Sequence, residues 1–402
     1  MGIIKPSFIS LDSSHLNKLS DQLSSSKAVE RKQATDFGNL LQEKGFVLVL
    51  SIHHILEMIA IEDEEKAKQR LAFLRSRPLL GWIAPANESP ALGSVVDIMA
   101  AEAWAALTIE KSDAISIRDH VAPNLFKVGT GEEAVAPYVE QWRLLQLVAQ
   151  EQARKSQVIA SIAPTKVGLN GKMTVFDLLN GKLRSPTELI KKKNEMKASL
   201  SNEIAVRGDR RIKNAFGVAE YFYDDVFNMP HPTNNLNFVS KVLADNYISL
   251  DELNQKTTTD EIGHLAEFRK MLICASEASK FNFRYRIKDI KQYQIPSWVV
   301  QDSLRVHRQD LLERKGSDIT DKFLACLAPY AAITFVDKRT KQNFSQAAKK
   351  SCEFAKLIRR VEKASNYVKI GELLAEYVQP YRRWTFRKPH GSEGPCKAGR
   401  LT

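Results

Sequence analysis

Five carboxylates stand where this chain could do chemistry. Asp12 follows the apolar run that opens FISLDSSHLNKL, Asp337 closes AAITFVD, and Glu57 lies in IHHILE, shortly after FVLVL. Asp318 and Asp321, both in SDITDKFLACLAPY, open a helical pattern ahead of Asp337; residues three apart occupy neighbouring positions on a helix surface. If the apolar runs are parallel neighbouring strands, their carboxyl ends share one sheet edge, where open α/β sheets gather their ligands. Acids meeting there repel one another and raise each other's pKa. A hard divalent cation, Mg²⁺ or Mn²⁺, takes carboxylate oxygens and removes that conflict. A pair of such ions can clamp the attacking and leaving oxygens of a phosphodiester. Taken singly, Asp12 followed by Ser13 and Ser14 also reads as an ordinary helix N-cap. The chemistry therefore depends on which strands lie side by side.

The elements that must place these acids follow from hydrophobic spacing. Phe8, Ile9 and Leu11 suit a strand, residues 26–45 read as a polar helix ending near Gly45, and FVLVL reads as a short buried parallel strand. Helical spacing then runs through Ile52, Ile55, Leu56 and Ile59, and again through Ala67, Leu71 and Leu74. Right-handed βαβ packing would lay the first two strands in one parallel sheet. From about Pro85 to Pro296 apolar residues recur at helical spacing, with turns marked by GLNGK, RSPTE and NMPHPTNN. The α/β pattern returns with a helix opening at Pro296-Ser297, a second over SDITDKFLACLAPY and a strand over AAITFV. The expected organisation is an α/β core with a parallel sheet, formed by residues 1–85 and 296–345. A mainly helical insertion, 86–295, interrupts it, and a basic helical extension, 346–402, follows it.

A chain of 402 residues with 44% apolar and 26% charged content has room for two or three ordinary globular domains. It has no apolar run of the ~18 residues that a membrane span needs. Its start, MGIIKP, carries neither a signal-peptide core nor the hydroxyl residue of a myristoylation signal, so the expected location is cytoplasmic. Cys274, Cys326, Cys352 and Cys396 form no C-x-x-C pair, which argues against a zinc ribbon and a disulfide framework. The net charge of +12 is concentrated: residues 338–402 hold 16 Lys/Arg against 5 Asp/Glu, leaving the rest nearly balanced. Such a segment has the electrostatic footprint of a polyanion-binding surface, although a solvated basic helix and tail would look the same. No G-x-x-x-x-G-K-[ST], G-x-G-x-x-G or G-x-S-x-G is present, which leaves nucleotide-driven chemistry and serine hydrolysis unsupported.

LDSS near the start, IHHILE on the next helix, and GSDITDKFLACLAPYAAITFVDKR near the end come in an order that resembles the PIN-domain nucleases, in particular larger PIN-like relatives with helical insertions. The resemblance covers about residues 7–80 and 296–345, and its motifs are loose. It implies a three-layer α/β/α core whose acids bind Mg²⁺ or Mn²⁺ and cut RNA, less often DNA, leaving 5′-phosphate and 3′-hydroxyl ends. It implies metal ligation by Asp12, Glu57 and Asp337, with the family's remaining acid falling on Asp321 or Asp318. Two departures leave an altered or inactive site open. Ala331-Ala332 follows Pro329-Tyr330 where many relatives carry an acid, and Val336 precedes the last acid where many carry Thr or Asn.

Around these acids, Ser13 and Ser14 are candidates to contact the carboxylates or a scissile phosphate, or are simply cap residues. Lys338 and Arg339, beside Asp337, are candidate phosphate contacts. His53 and His54 fit a structural or supporting role better than zinc ligation, since the other histidines are scattered. Lys191-Lys192-Lys193 reads as a solvated helix face. In the tail, Tyr381, Trp384 and Phe386 alternate with Arg382, Arg383, Arg387 and Lys388, a pattern suited to unpaired bases and phosphates or to a C-terminal anchor. The expected function is a metal-dependent endonuclease acting on RNA in preference to single-stranded DNA. The resemblance suggests a toxin or a defence effector, and the helical insertion is available to a protein partner or a second copy. The rival expectation is a non-catalytic nucleic-acid-binding or assembly protein on a degenerate PIN-like fold.

Overall fold

The computed structural model describes residues 6–162, 170–182, 185–227, 234–307 and 313–377. Strand β1 (Ser7–Ser10) leads into helices α1 (Ser13–Leu23) and α2 (Ala28–Glu43), and β2 (Phe46–Leu50) into α3 (Ile52–Ile59) and α4 (Glu64–Arg75). After β3 (Leu80–Ile83) come α5 (Val95–Thr108) and α6 (Ala114–Val121); after β4 (Phe126–Gly129) come α7 (Gly131–Val139) and the long α8 (Trp142–Ile162). Helices α9 (Val175–Asn180), α10 (Pro186–Arg207), α11 (Ala215–Phe227), α12 (Asn235–Ala244) and α13 (Thr259–Ala278) follow. The chain returns through α14 (Pro296–Val306) and α15 (Ser317–Ala325) to β5 (Ile333–Val336), then α16 (Lys338–Lys350), α17 (Cys352–Leu357), β6 (Arg360–Lys363) and α18 (Tyr367–Ala375).

The strands form one sheet in the order β4-β3-β2-β1-β5-β6, parallel except for the antiparallel edge strand β4. Two expectations are corrected here. The sheet is mixed rather than wholly parallel, because residues 126–129 of the stretch read as helical insertion pair with β3. The extension read as helical contributes β6, which pairs parallel with β5. Both are edge strands with exposed or charged residues, the composition that blunts an edge; β6 buries only Val361. Helices cover both faces. Ile9, Leu48, Leu50, Ile333 and Phe335 pack in one core with residues of α1, α2, α3, α4 and α18. Val49 and Ile83 pack with α5 and α6, and Val336 and Val361 with α14, α16 and α17. At Gly45 a φ of 67° turns the chain from α2 into β2, the left-handed conformation that glycine adopts after a helix without a Cβ clash. Among the described residues no helix is long and apolar enough to cross a membrane.

One buried acid ties α5, which packs on the sheet although it lies in the stretch read as insertion, to the late segment that returns to β5. Glu102, in the apolar middle of α5, accepts the Ser297 N–H (3.0 Å), the Ser297 hydroxyl (2.5 Å) and the Tyr330 hydroxyl (2.6 Å). It thereby satisfies part of the buried N-terminus of α14, whose first N–H groups have no partner within the helix, and fixes the turn that enters β5. Burial pushes its pKa up to about 7 against the pull of these donors. Glu102→Leu leaves all three donors unpaired and is expected to lower stability by about 3 kcal/mol, read from urea unfolding at neutral pH.

Candidate active site

Strands β1 and β5 are hydrogen-bonded parallel neighbours, with Ser10 opposite Thr334. Asp12 follows Ser10 by two residues and Asp337 follows Thr334 by three. Both acids therefore leave the same carboxyl edge from strands about 4.8 Å apart. Each is also a helix N-cap. Asp12 Oδ1 accepts the Ser14 N–H at 2.7 Å at the start of α1, and Asp337 Oδ1 accepts the Thr340 N–H at 2.6 Å at the start of α16. Capping and clustering are thus two roles of the same residues, and the caps fix both carboxylates to rigid elements.

Glu57 and Asp321 come from α3 and α15, which contact each other beside this edge. Burial pushes the Glu57 pKa up to about 6; the Asp12 charge adds to the rise, while the Ser13 and Thr320 hydroxyls oppose it. The Asp321 pKa is driven up to about 8, first by burial and then by the charges of Asp12, Glu57, Asp337 and Asp318. The other four acids singled out from the sequence therefore lie within electrostatic reach of Asp321. Arg339 lies among them, its Nε 3.3 Å from Asp337 Oδ2 and its Nη2 3.3 Å from Asp318 Oδ1. This residue, read as a phosphate contact, is placed as an ion-pair partner of two acids, because the first turn of α16 brings it back over its own N-cap.

The acids are held apart as well as together. Among the described residues no three carboxylate, imidazole or thiolate side chains are gathered tightly enough to hold a metal ion. The caps keep Asp12 and Asp337 turned to their own helices, and Arg339 draws Asp337 and Asp318 towards itself. The donor set still suits Mg²⁺ or Mn²⁺, since it offers carboxylate oxygens with hydroxyls beside them. Ser13 Oγ supports this fit: buried beside Glu57, it has no partner at full hydrogen-bond geometry among the described residues beyond its weak pull on that carboxylate, and Asn17 Oδ1, one turn further along α1, is without a partner among them.

Supporting residues fix the two loops that carry the acids. His54 is fully buried; its Nδ1 accepts the Ser51 N–H at 3.0 Å, which leaves the proton on Nε2 to donate to the Leu11 carbonyl at 2.9 Å. The imidazole thus joins the start of α3 to the residue before Asp12. His53 stacks on Phe323 of α15 at 4.9 Å. Burial lowers both imidazole pKa values to about 4, so the supporting role expected of this pair is the one the geometry gives them. Each folded imidazole refuses a proton that the unfolded chain takes up below about 6.5, so the pair removes stability as pH falls from about 6.5 towards 4. His54→Leu is expected to lower stability by about 2 kcal/mol at pH 7 and to flatten part of that acid limb, as read from urea unfolding at several pH values.

The helical insertion holds the start of α15. The Gly316 N–H donates to Asp209 Oδ2 at 3.0 Å, and Asp209 also pairs with Arg211 at 2.6 Å. The Arg314 N–H donates to the Arg207 carbonyl at 2.8 Å, and its guanidinium reaches Glu203 at 2.7 Å. A Cβ on Gly316 would lie 2.9 Å from the Gln157 backbone nitrogen in α8, so only glycine allows this approach. Nothing in the sequence distinguishes Asp209 or Arg314 from other charged residues; the signal for Glu102 is a carboxylate in the apolar run VVDIMAAEAWAALT.

The remaining candidates divide. Ser13 is buried, whereas Ser14 and Lys338 are exposed beside the acid edge. Lys192 pairs with Glu195 along α10, and Lys193 bridges to Asp224 of α11, both half-exposed, while Lys191 is exposed. Arg382, Arg383, Arg387 and Lys388, with the aromatic residues between them, lie outside the described residues. No family model matches this chain, and no curated protein or solved structure matches it either.

Proposed function

We propose that the protein is a PIN-like, Mg²⁺- or Mn²⁺-dependent endonuclease that hydrolyses phosphodiester bonds, RNA before single-stranded DNA. The observation that carries this reading is the adjacency of β1 and β5, which sets Asp12 and Asp337, from opposite ends of the sequence, on one sheet edge. A divalent cation at these acids would supply a Lewis acid for the phosphate and lower the pKa of an attacking water. The chain's own groups do the rest. Asp12 and Asp337 present fixed negative charge from rigid helix starts. Glu57, with its pKa near 6, is close to the range in which a carboxylate orients water and takes its proton near neutral pH. Asp321 holds a proton near neutrality and releases it when positive charge arrives. Lys338, exposed next to Asp337, is available to a neighbouring phosphate.

A second reading draws on Arg339. An arginine paired with Asp337 and Asp318 offsets part of the negative charge without a metal ion, as a degenerate site on a nucleic-acid-binding or assembly protein would. The test is incubation of the full chain with end-labelled RNA and single-stranded DNA in Mn²⁺, and again in EDTA. Cleavage that needs Mn²⁺ and leaves 5′-phosphate ends supports the nuclease; tight binding with no cleavage in either condition overturns it. Arrested growth on expression, relieved by Asp12→Asn, would support a toxin or defence setting.

A further inference from the structure

At the opposite edge of the sheet from the acids, where β2 and β3 begin, α1, α2 and the turn before β3 line a half-open cavity of about 550 Å³. Its wall is mainly apolar, with Leu19, Leu23, Val47 and Leu79 among the lining residues. Pockets for small molecules have this character and range from about 300 to 1,000 Å³. Among the described lining residues one is charged, Arg77. Its guanidinium lies over the Phe73 ring at 4.7 Å, and its Nη2 donates to the adjacent Ser76 hydroxyl at 3.1 Å. Its Nε is buried with no acceptor among the described residues. The side chain as a whole is half-buried, and a guanidinium partly withdrawn from water gains from an anionic partner.

The helix facing Arg77 carries a second sign. Gly38 sits in the middle of α2, where glycine weakens a helix relative to alanine. A Cβ there would meet nothing nearer than Arg77 Nη1 at 3.9 Å. Close packing therefore does not exclude a side chain at this position; what the glycine leaves open is space in front of the guanidinium.

We propose that this cavity binds a small amphiphilic anion, with an apolar body against the leucines and a carboxylate or phosphate on Arg77. The test titrates the full chain with anilinonaphthalene sulfonate, an apolar fluorophore with one anionic group, and competes it with decanoate, decyl phosphate and decanol. The expected result is one saturable probe site from which an anion displaces the probe, the tighter competitor showing whether carboxylate or phosphate is preferred. Decanol should bind about tenfold more weakly, the loss of one charge-assisted hydrogen bond. Arg77→Met should weaken both anions about tenfold and leave decanol unchanged, and Arg77→Lys should keep part of the preference. Gly38→Leu should block all three ligands while the thermal melt and circular dichroism stay those of the folded protein. The proposal is overturned by absence of saturable probe binding, by equal binding of decanol and decanoate, or by anion affinity indifferent to Arg77→Met and Gly38→Leu.

Discussion

Asp12→Asn and Asp337→Asn are each expected to reduce Mn²⁺-dependent cleavage by about 10³-fold, the scale on which single acid-base or charge-stabilising groups act. Asparagine is the informative replacement. At an N-cap it ranks with aspartate, so the amide oxygen introduced by either substitution would still accept the Ser14 or Thr340 N–H that the wild-type carboxylate accepts. The unfolding midpoint should move little. What disappears is one unit of negative charge at the sheet edge, and with it the attraction for a cation. Alanine at either position would remove cap and charge together, adding a loss of about 1 kcal/mol of stability that blurs the result. RNA binding measured in EDTA should survive both substitutions. Cleavage that persists undiminished in both asparagine variants would sink the assignment of these acids to catalysis.

The second large effect runs in the opposite direction for stability. Asp321 is protonated up to about pH 8 in the folded protein, whereas an unfolded aspartate gives up its proton near 3.9. Between those values the folded state binds the additional proton, so stability falls as pH rises through that window. Above about pH 8 the folded protein bears the full penalty of a charge buried among like charges. Asp321→Asn removes the penalty and should be more stable than wild type at pH 9 by about 3 kcal/mol, a figure reduced from the bare shift because water partly reaches the group. At pH 4 the two proteins should nearly coincide. Glu102 titrates with the same sign and the two histidines with the opposite one, so the difference between variant and wild type isolates Asp321. Added Mn²⁺ should raise the wild-type melting temperature at pH 8, since an ion that binds only the folded state stabilises it, and should raise that of Asp321→Asn much less. The same variant should lose cleavage. Equal melting temperatures at pH 9 would show that Asp321 is not in the electrostatic company described.

Arg339 joins these expectations. Its removal frees Asp337 and Asp318 from a competing cation, so Arg339→Ala should bind Mn²⁺ more tightly in the nuclease, whereas in a metal-independent binding protein it should weaken nucleic-acid association and leave Mn²⁺ without effect on melting.

The three strands that feed the acid edge are legible in the sequence because each is an apolar run followed by a turn or cap signal. The other strands are not. LGWI carries a glycine in mid-strand, and FKVG and RVEK lie on edges where exposure removes the alternation that betrays a strand. Acids at strand ends are legible as a pattern, but their meeting depends on β1 lying beside β5, a pairing between distant parts of the chain that local periodicity does not encode. The ion-pairing role of Arg339 is hidden for a related reason. A basic residue after the last acid looks alike whether it faces solvent or folds back over its own helix start. The anchorage of α15 by Asp209 and Arg314 has no local signature at all, since it consists of ordinary charged residues matched across long sequence separation.

The placement of β5 beside β1 bears on synthesis. A ribosome delivers Asp12 and Glu57 early, but Asp321, Asp337 and the strand that seats them emerge only after the whole helical insertion has been translated. Until then β1 lacks its second neighbour and the acid edge is half built, so under the proposed nuclease reading a nascent chain would be harmless to the message encoding it. In the proposed nuclease, cleavage would become possible only in a single late event, once β5 has emerged and docked beside β1.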